Sequence, residues 1–332
     1  WHIAEKWDAT FGARWFDRET DRTYLVENPR FNLTPDGILE LPASESDWVP
    51  KVSLSYQATD NMMVYALYSE GFRPGGINRS RTQDSFFPTE YEADYLDNFE
   101  IGTKMTLADG RVRLTATYFN MKWKDYQLEV IDPSNRPCGA PNAPPEPTCG
   151  QPFQVVVGNV GDATSEGIEV QFDAVVTNNF TTGFNFTWLD ATLDDGFDFG
   201  EPVPAGSRLP LVPELEASAY AQYDWDLDLF DGLVNGFYAR LQWSYTGDRF
   251  NQVEPFPADS PTPQFLMPSY NIGDLKTGFT GDGWTLMLFV NNLTDERAVL
   301  FDNPFELDYF FGKGRQTINR PREFGIRYRR DW

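Results

Sequence analysis

The sequence predicts an all-β chain, an antiparallel transmembrane β-barrel fold with about twelve strands in these residues. Three observations predict it. Apolar and polar residues alternate with a period of two along much of the chain, and no comparable length shows helical spacing. The connections between the alternating stretches are by turns short and long. The chain is also rich in aromatics, at 16%, yet polar on average, with a mean hydropathy of −0.47.

The strands are expected near 5–16, 49–58, 62–71, 96–107, 111–131, 154–176, 180–190, 214–226, 236–250, 270–280, 284–292 and 322–332. In the third, Tyr65 and Leu67 oppose Ala66, Tyr68 and Glu70. In the fifth, Val112, Leu114, Ala116 and Tyr118 oppose Arg111, Arg113, Thr115 and Thr117. Ile168, Val170, Phe172 and Ala174 oppose Glu169, Gln171 and Asp173 in the sixth. Phe180, Phe184, Phe186 and Trp188 oppose Thr181, Asn185 and Thr187 in the seventh. In the ninth, Phe237, Leu241, Trp243 and Tyr245 oppose Tyr238, Arg240 and Gln242. The last strand alternates Phe324, Ile326 and Tyr328 with Gly325, Arg327 and Arg329, and Trp332 closes the sequence.

Short turns fall at Thr59-Asp60-Asn61, Ala108-Asp109-Gly110, Thr177-Asn178-Asn179 and Gly281-Asp282-Gly283, with a longer one at 227–235. All carry turn chemistry. Long loops are expected at about 17–48, 72–95, 132–153, 191–213, 251–269 and 293–321. Strict alternation puts every short turn at one end of the strands and every long loop at the other, the layout of an outer-membrane barrel. Such a barrel needs only one apolar face, which reconciles low hydropathy with abundant Phe, Tyr and Trp. Trp123, Trp188, Trp225, Trp243, Trp284 and Trp332 lie near strand ends and are expected to form an interfacial girdle. The opposite face, with Arg113, Glu169, Gln171, Asn185, Arg240 and Gln242, is expected to look into the lumen.

A net charge of −23 argues against nucleic acid as a partner. One histidine, His2, leaves little for a His-based metal site or a Ser-His nucleophile, and no phosphate-cradling loop is present, so an enzyme is not expected. No cofactor is expected either. No run of about 18 apolar residues offers a transmembrane helix. The opening Trp1-His2-Ile3-Ala4-Glu5 lacks a basic-then-apolar leader, and a fragment or processed product is the expectation. The two cysteines, Cys138 and Cys149, share one proline-rich loop, where a disulfide is the simplest reading in an oxidising compartment.

Five stretches, in order, resemble the C-terminal part of the barrel of TonB-dependent outer-membrane receptors. They are WVPKVSLSYQATDNMMVYALYSEGFRPGGINR (48–79), YLDNFEIGTKMTLADGRVRLTATYFNMKWKDYQ (95–127), NVGDATSEGIEVQFDA (159–174), VNNLTDERAV (290–299) and NRPREFGIRYRRDW (319–332). The resemblance spans nearly the whole chain. It implies that residues 1–332 are the C-terminal portion of a 22-stranded barrel with a plugged lumen, the plug, the TonB-contacting box and about ten strands lying upstream. It implies uptake of a scarce large solute, a ferric siderophore or related chelate first, with cobalamin or carbohydrate as alternatives; a passive porin is the rival outside that class. The implied partners are the TonB complex, the plug and remaining strands, outer-membrane lipid and lipopolysaccharide, and the barrel-assembly machinery. The family usually ends in Phe; here Trp332 stands in that place, with Phe324, Ile326 and Tyr328 completing the expected assembly signal.

The candidate ligand-binding residues lie on the long loops. Gly71 is expected to let the chain leave the ladder, and Pro74-Gly75-Gly76 to bend it by lacking a donor and tolerating positive φ. Arg73, Arg79 and Arg81 then sit at the mouth, either meeting a ligand or pairing with acids such as Asp84 or lipopolysaccharide phosphates; structural pairing is the favoured reading. Phe197, Phe199, Tyr309 and Phe310 either stack on a ligand or cap the mouth against each other. Asp190, Asp194, Asp195, Asp198 and Glu201 either hold Ca²⁺ or form a solvated acidic loop. The triplet Asn292-Leu293-Thr294 carries no glycan in a bacterial outer-membrane protein.

Overall fold

The computed structural model describes residues 2–24, 39–78, 90–131, 138–139, 149, 155–198, 202–253, 264–303 and 315–331. One sheet dominates them. Its members are β1 (His2–Ala4), β2 (Trp7–Tyr24), β3 (Leu39–Thr59), β4 (Met62–Arg73), β7 (Asp94–Leu107), β8 (Val112–Lys124), β11 (Ala163–Val175), β12 (Phe180–Leu193), β15 (Leu215–Leu229), β16 (Val234–Thr246), β19 (Tyr270–Gly281), β20 (Trp284–Asn291) and β23 (Glu323–Arg330). Each is hydrogen-bonded, antiparallel, to the next in that order. Since β1 is a three-residue stub, twelve long strands form the wall. Among the described residues β23 pairs only with β20, so the two edges do not close on each other.

The remaining ten strands form five small two-stranded sheets, one on each of five long loops. They are β5 (Gly76–Ile77) with β6 (Glu90–Tyr91), β9 (Gln127–Ile131) with β10 (Val155–Asn159), β13 (Phe197–Asp198) with β14 (Pro202–Val203), β17 (Arg249–Phe250) with β18 (Leu266–Met267), and β21 (Val299–Asn303) with β22 (Arg315–Ile318).

The alternation of the sequence becomes the two faces of the wall. One face exposes Phe11, Trp15, Trp48, Ile101, Phe184, Phe186, Leu241, Leu288, Phe324 and Ile326, the last two more than 70% exposed. An apolar surface of this extent is stable only against an apolar medium. At its short-turn end Trp225 packs on Tyr223 and Phe237, and Phe237 on Phe279, with ring centroids 4.5 to 5.3 Å apart. The other face is polar and internally bonded. Tyr220 donates to Asp173 (2.9 Å), the Arg240 guanidinium lies 3.8 Å from the Tyr220 ring, and Asn185 donates to Ser218.

Several boundaries differ from expectation. β2 and β3 run well into the stretch read as loop 17–48, because eighteen consecutive pairs, from Trp7↔Tyr56 to Tyr24↔Leu39, extend their ladder. Gly71 does not end β4; the ladder continues to Arg73↔Asp94. The single strands expected at 111–131 and 154–176 are each broken, and the breaks face one another. Asp125 (φ 54°) and Gly161 (φ 100°) leave the strand conformation together. Tyr126 and residues 160–161 then bond across the gap, Tyr126 N–H to Gly161 O at 2.8 Å and Val160 N–H to Tyr126 O at 2.9 Å. This matched pair of kinks turns the β9–β10 hairpin off the wall. A break at Gly247–Asp248 likewise separates β17 from β16.

Of the expected girdle, Trp188, Trp225 and Trp243 stand exposed on the apolar face. Trp123 does not: strand parity turns it to the other side, where it packs under the loops. Trp284 is half-buried, its ring 6.5 Å from that of Tyr328, and Trp332 lies outside the described residues. Trp15 and Trp48, paired across β2 and β3 with rings 6.4 Å apart, join the exposed set instead.

Candidate functional site: the long-loop end of the wall

The loops at one end fold into a packed layer. Its buried core includes Leu128, Val156, Val160, Leu193, Val203 and Leu209, contributed by the end of β12 and the loops that follow β8 and β12. The largest fully buried side chains among the described residues are Leu193, Met267, Val156 and Asp94. All four sit at or beyond this rim, so the compact core belongs to the loop layer and the wall relies on its ladder.

Three arginines tie the layer together. Arg73 ends β4 and reaches Asp94, which is fully buried at the start of β7. Its Nε donates to both carboxylate oxygens (3.3 and 3.1 Å), and Nη2 donates to the same carboxylate and to the Gln127 carbonyl (2.8 Å). The guanidinium lies 5.9 Å from the Trp123 ring and 5.7 Å from the Tyr126 ring. Gln127 completes the clasp. Its backbone N–H donates to Asp94 (3.1 Å), and its side-chain amide donates to the carbonyls of Pro74 and Glu92. Burial in this layer pushes the Tyr126 hydroxyl's pKa up, against the lowering effect of Arg73.

The glycines after Pro74 are required for space, not for positive φ. A Cβ on Gly75 would stand 2.5 Å from the Tyr91 carbonyl, and one on Gly76 only 2.1 Å from the Tyr91 hydroxyl. The two glycines let Tyr91 of β6 lie close against the backbone of β5 and the turn before it. Asn78 then ties that hairpin to the next, exchanging two hydrogen bonds with the backbone of Val157 (2.8 and 2.7 Å).

The second arginine, Arg208, pairs with Glu214 (3.3 Å) and Asp248 (3.4 Å) and lies 5.4 Å from the Phe250 ring. The third, Arg249, is 6% exposed. Its Nη2 donates to the carbonyls of Val299 (3.2 Å) and Leu300 (2.9 Å), and its guanidinium lies 5.6 Å from the Tyr270 ring. Beside it Asn251 accepts from Phe265 N–H and donates to Asp302.

The stretch 290–299 forms a tight knot. Asn292 and Asp295 adopt positive φ (53° and 56°). Asn292 accepts from Glu296 N–H (2.8 Å) and donates to the carbonyls of Glu296 and Arg320. Asp295 accepts from Arg322 N–H (2.9 Å) and pairs with Arg297 (3.2 Å), and the Arg322 amide with the nearby arginines holds its carboxyl below the usual range.

Among the sequence-predicted residues, Arg73 is placed in a clasp, with Asp94 where Asp84 had been suggested; Asp84, Arg79 and Arg81 lie outside the described residues. Phe197 is half-buried against the loop core. Phe199, Tyr309 and Phe310 also lie outside the described residues. Cys138 and Cys149 form the expected disulfide, with Cα atoms 4.9 Å apart. In the acidic stretch Asp194 accepts from Thr164 (2.7 Å), and among the described residues no three acidic, Cys or His side chains converge as a metal site; Glu201 is not described. Phe324, Ile326 and Tyr328 do line the exposed apolar face of β23. Sequence reasoning missed Asp94, Gln127, Arg208 and Arg249. The signal available for the first two was their place at the borders of the family-like stretch 95–127, Asp94 just before it and Gln127 at its end.

The chain matches the family model described as TonB dependent receptor-like, beta-barrel, over residues 1–293. It is 28% identical over 298 residues to the metal-pseudopaline receptor CntO of Pseudomonas aeruginosa, covering 89% of this chain and 36% of that protein. It is 22% identical over 314 residues to the probable TonB-dependent siderophore receptor PiuA of Acinetobacter baumannii, covering 89% and 35%. The solved ferric yersiniabactin uptake receptor FyuA of Yersinia pestis superposes with a TM-score of 0.72 at 19% identity, over 100% of this chain and 44% of that one. The chain thus spans about a third of the length of the curated relatives it matches.

Proposed function

The chain belongs to the TonB-dependent receptor β-barrel family, proteins of the bacterial outer membrane, and from that premise we propose that residues 1–332 are the C-terminal portion of a receptor that takes up a metal chelate, a ferric siderophore or a close chemical relative. In this reading the missing strands and a plug complete the barrel, and the TonB complex acts through a segment outside these residues. The long-loop layer captures the solute, and the plug rearranges when TonB pulls on it. The apolar face of the wall meets outer-membrane lipid, with lipopolysaccharide around the rim, and the aromatic alternation of β23, ending in Trp332, is what the assembly machinery reads.

The observation that carries the proposal is the loop layer itself. Five long connections fold into paired strands and pack over one end of an apolar-banded wall. That is a packed receiving surface, and loops held by a scaffold are where binding residues concentrate. The relatives named for metal-pseudopaline and siderophores support a chelate as the solute, ahead of cobalamin or carbohydrate. The relatives are transport receptors rather than enzymes. A free-standing twelve-strand porin fits less well, because it would need β23 to pair with the far edge of the sheet.

Uptake of radiolabelled iron chelates by cells with and without this gene tests the proposal. Uptake is expected to need both the gene and TonB. Uptake that persists in a TonB-deficient strain, or steady ion conductance of the purified protein in planar bilayers, would overturn it.

A further inference from the structure

Of the three rim arginines, two have carboxylates. Arg73 holds Asp94, and Arg208 holds Glu214 and Asp248. Arg249 is the one buried cationic side chain among the described residues, and no carboxylate among those residues lies within ion-pair distance of it. Two carbonyls take Nη2, the Tyr270 ring takes one face, and Nη1 is buried with no hydrogen-bond partner. A guanidinium does not shed its proton, so this is a full charge removed from water and only partly compensated. Such a group is costly until an anion meets it.

The position says where that anion comes from. Arg249 opens β17, beyond the last ladder pair of β16 with β19, Thr246↔Tyr270, and so lies in the loop layer. It bridges the β17–β18 hairpin to the start of β21, where two loops meet. A solute arriving at the loop end reaches this seam before it reaches the wall. The ring beneath and the carbonyls beside the guanidinium fix its plane, which suits it to a planar carboxylate.

We propose that Arg249 is the carboxylate-recognising residue of the mouth, and that the chelate carries at least one free carboxylate which pairs with Nη1 as the two loops part. This deepens the transport reading and rests on it. It makes Arg249 a specificity residue, separating carboxylate-bearing chelates from uncharged ones of similar size.

The test uses the receptor purified in detergent as its natural polypeptide, with citrate as the carboxylate probe and xylitol as an uncharged control. Citrate is expected to bind by calorimetry and to raise the melting temperature, and xylitol to do neither. Arg249→Met, which keeps length and loses charge, is expected to weaken citrate binding about tenfold or more, with a citrate-free melting temperature close to that of the parent. Arg249→Lys keeps the charge without the planar fork and is expected to fall between; it also serves if Arg249→Met does not assemble. Absence of citrate binding to the parent protein, or equal binding to the variants, overturns the proposal. So does a large fall in the citrate-free melting temperature of Arg249→Met, which would mean that a carboxylate of the plug or remaining barrel already neutralises the charge. Binding is read without TonB, so this result and the cell-uptake result fail independently.

Discussion

Asp94 is a focus of hydrogen bonding at the rim. It is fully buried, and its carboxylate receives three donors, from Arg73 Nε, Arg73 Nη2 and the Gln127 backbone. Asp94→Ala leaves Arg73 Nε and the buried Gln127 amide without this acceptor; the Arg73 side chain is 47% exposed and can turn to water, so the expected loss is the roughly 1–3 kcal/mol of an unsatisfied buried amide. The expected readout is protease cleavage in the stretches around 74–93 and 125–162 on intact cells, with the wall still heat-stable in detergent. A variant as protease-resistant as the parent would show that the clasp does not hold the loops. Asp295 makes the corresponding pH prediction. Its folded pKa is lowered, so its contribution is fully present above the ordinary carboxylate value, about 3.9, and is lost as pH falls through the lower folded value. Hydrogen exchange at the Arg322 amide is expected to quicken as pH drops below about 4, relative to amides of β20, and Asp295→Asn is expected to remove that pH dependence. An unchanged acid profile in Asp295→Asn would refute the assignment.

At the scale of strands, glycine and aromatic residues are matched in register. Gly102 faces Tyr65, Gly183 faces Tyr220, Gly273 faces Trp243, Gly278 faces Tyr238 and Gly325 faces Phe289, each as direct cross-strand partners. In each case the aromatic ring lies over its glycine, and a Cβ there would stand between 2.1 and 3.0 Å from a ring atom. Large side chains thereby cover backbone that would otherwise be bare, and each pair favours one register over its slips. Gly273→Ala would put a methyl 2.5 Å from the Trp243 ring. The expected cost is about 1–3 kcal/mol, as for other overpacked sites, visible as a lower melting temperature with a shifted tryptophan emission. No change in either would mean that the ring is free to move aside. The sequence made the strands legible because period-two alternation survives without knowledge of the partner. It hid these pairs because register is a property of two strands at once. For the same reason Arg73 and Gln127, 54 residues apart, could not be joined by reading along the chain. The kinks at Asp125 and Gly161 were invisible because both flanks continue the alternation.

For the whole molecule, the wall has two unsatisfied edges among the described residues, and twelve long strands contribute to it. An open sheet of this length presents two rows of unpaired donors and acceptors, which a membrane does not tolerate. The intact polypeptide isolated from outer membranes is therefore expected to weigh more than twice the 38.0 kDa of these residues, in keeping with the 36% share of its relative's length. A mass of 38.0 kDa with no companion chain would refute the proposed architecture. Fold class, strand number and the sorting of connections were all readable at this scale, since each is a statistic of the entire chain. The packed loop layer was not, because its core draws a few residues each from separate connections whose own patterns are irregular.

The arginine clasps bear on how such mouths are inherited. Arg73 is held by groups that follow it in the chain, as far as Gln127, and Arg208 by Glu214 and Asp248. A crossover between two homologous genes that falls inside either span parts a cation from its counter-charge, whereas one falling outside transplants the set whole. Chimeras of divergent receptors should therefore tolerate exchange of 73–127 or 208–248 as blocks and resist exchange of one connection at a time. Diversity at the mouth would then be shuffled in linked pairs of loops.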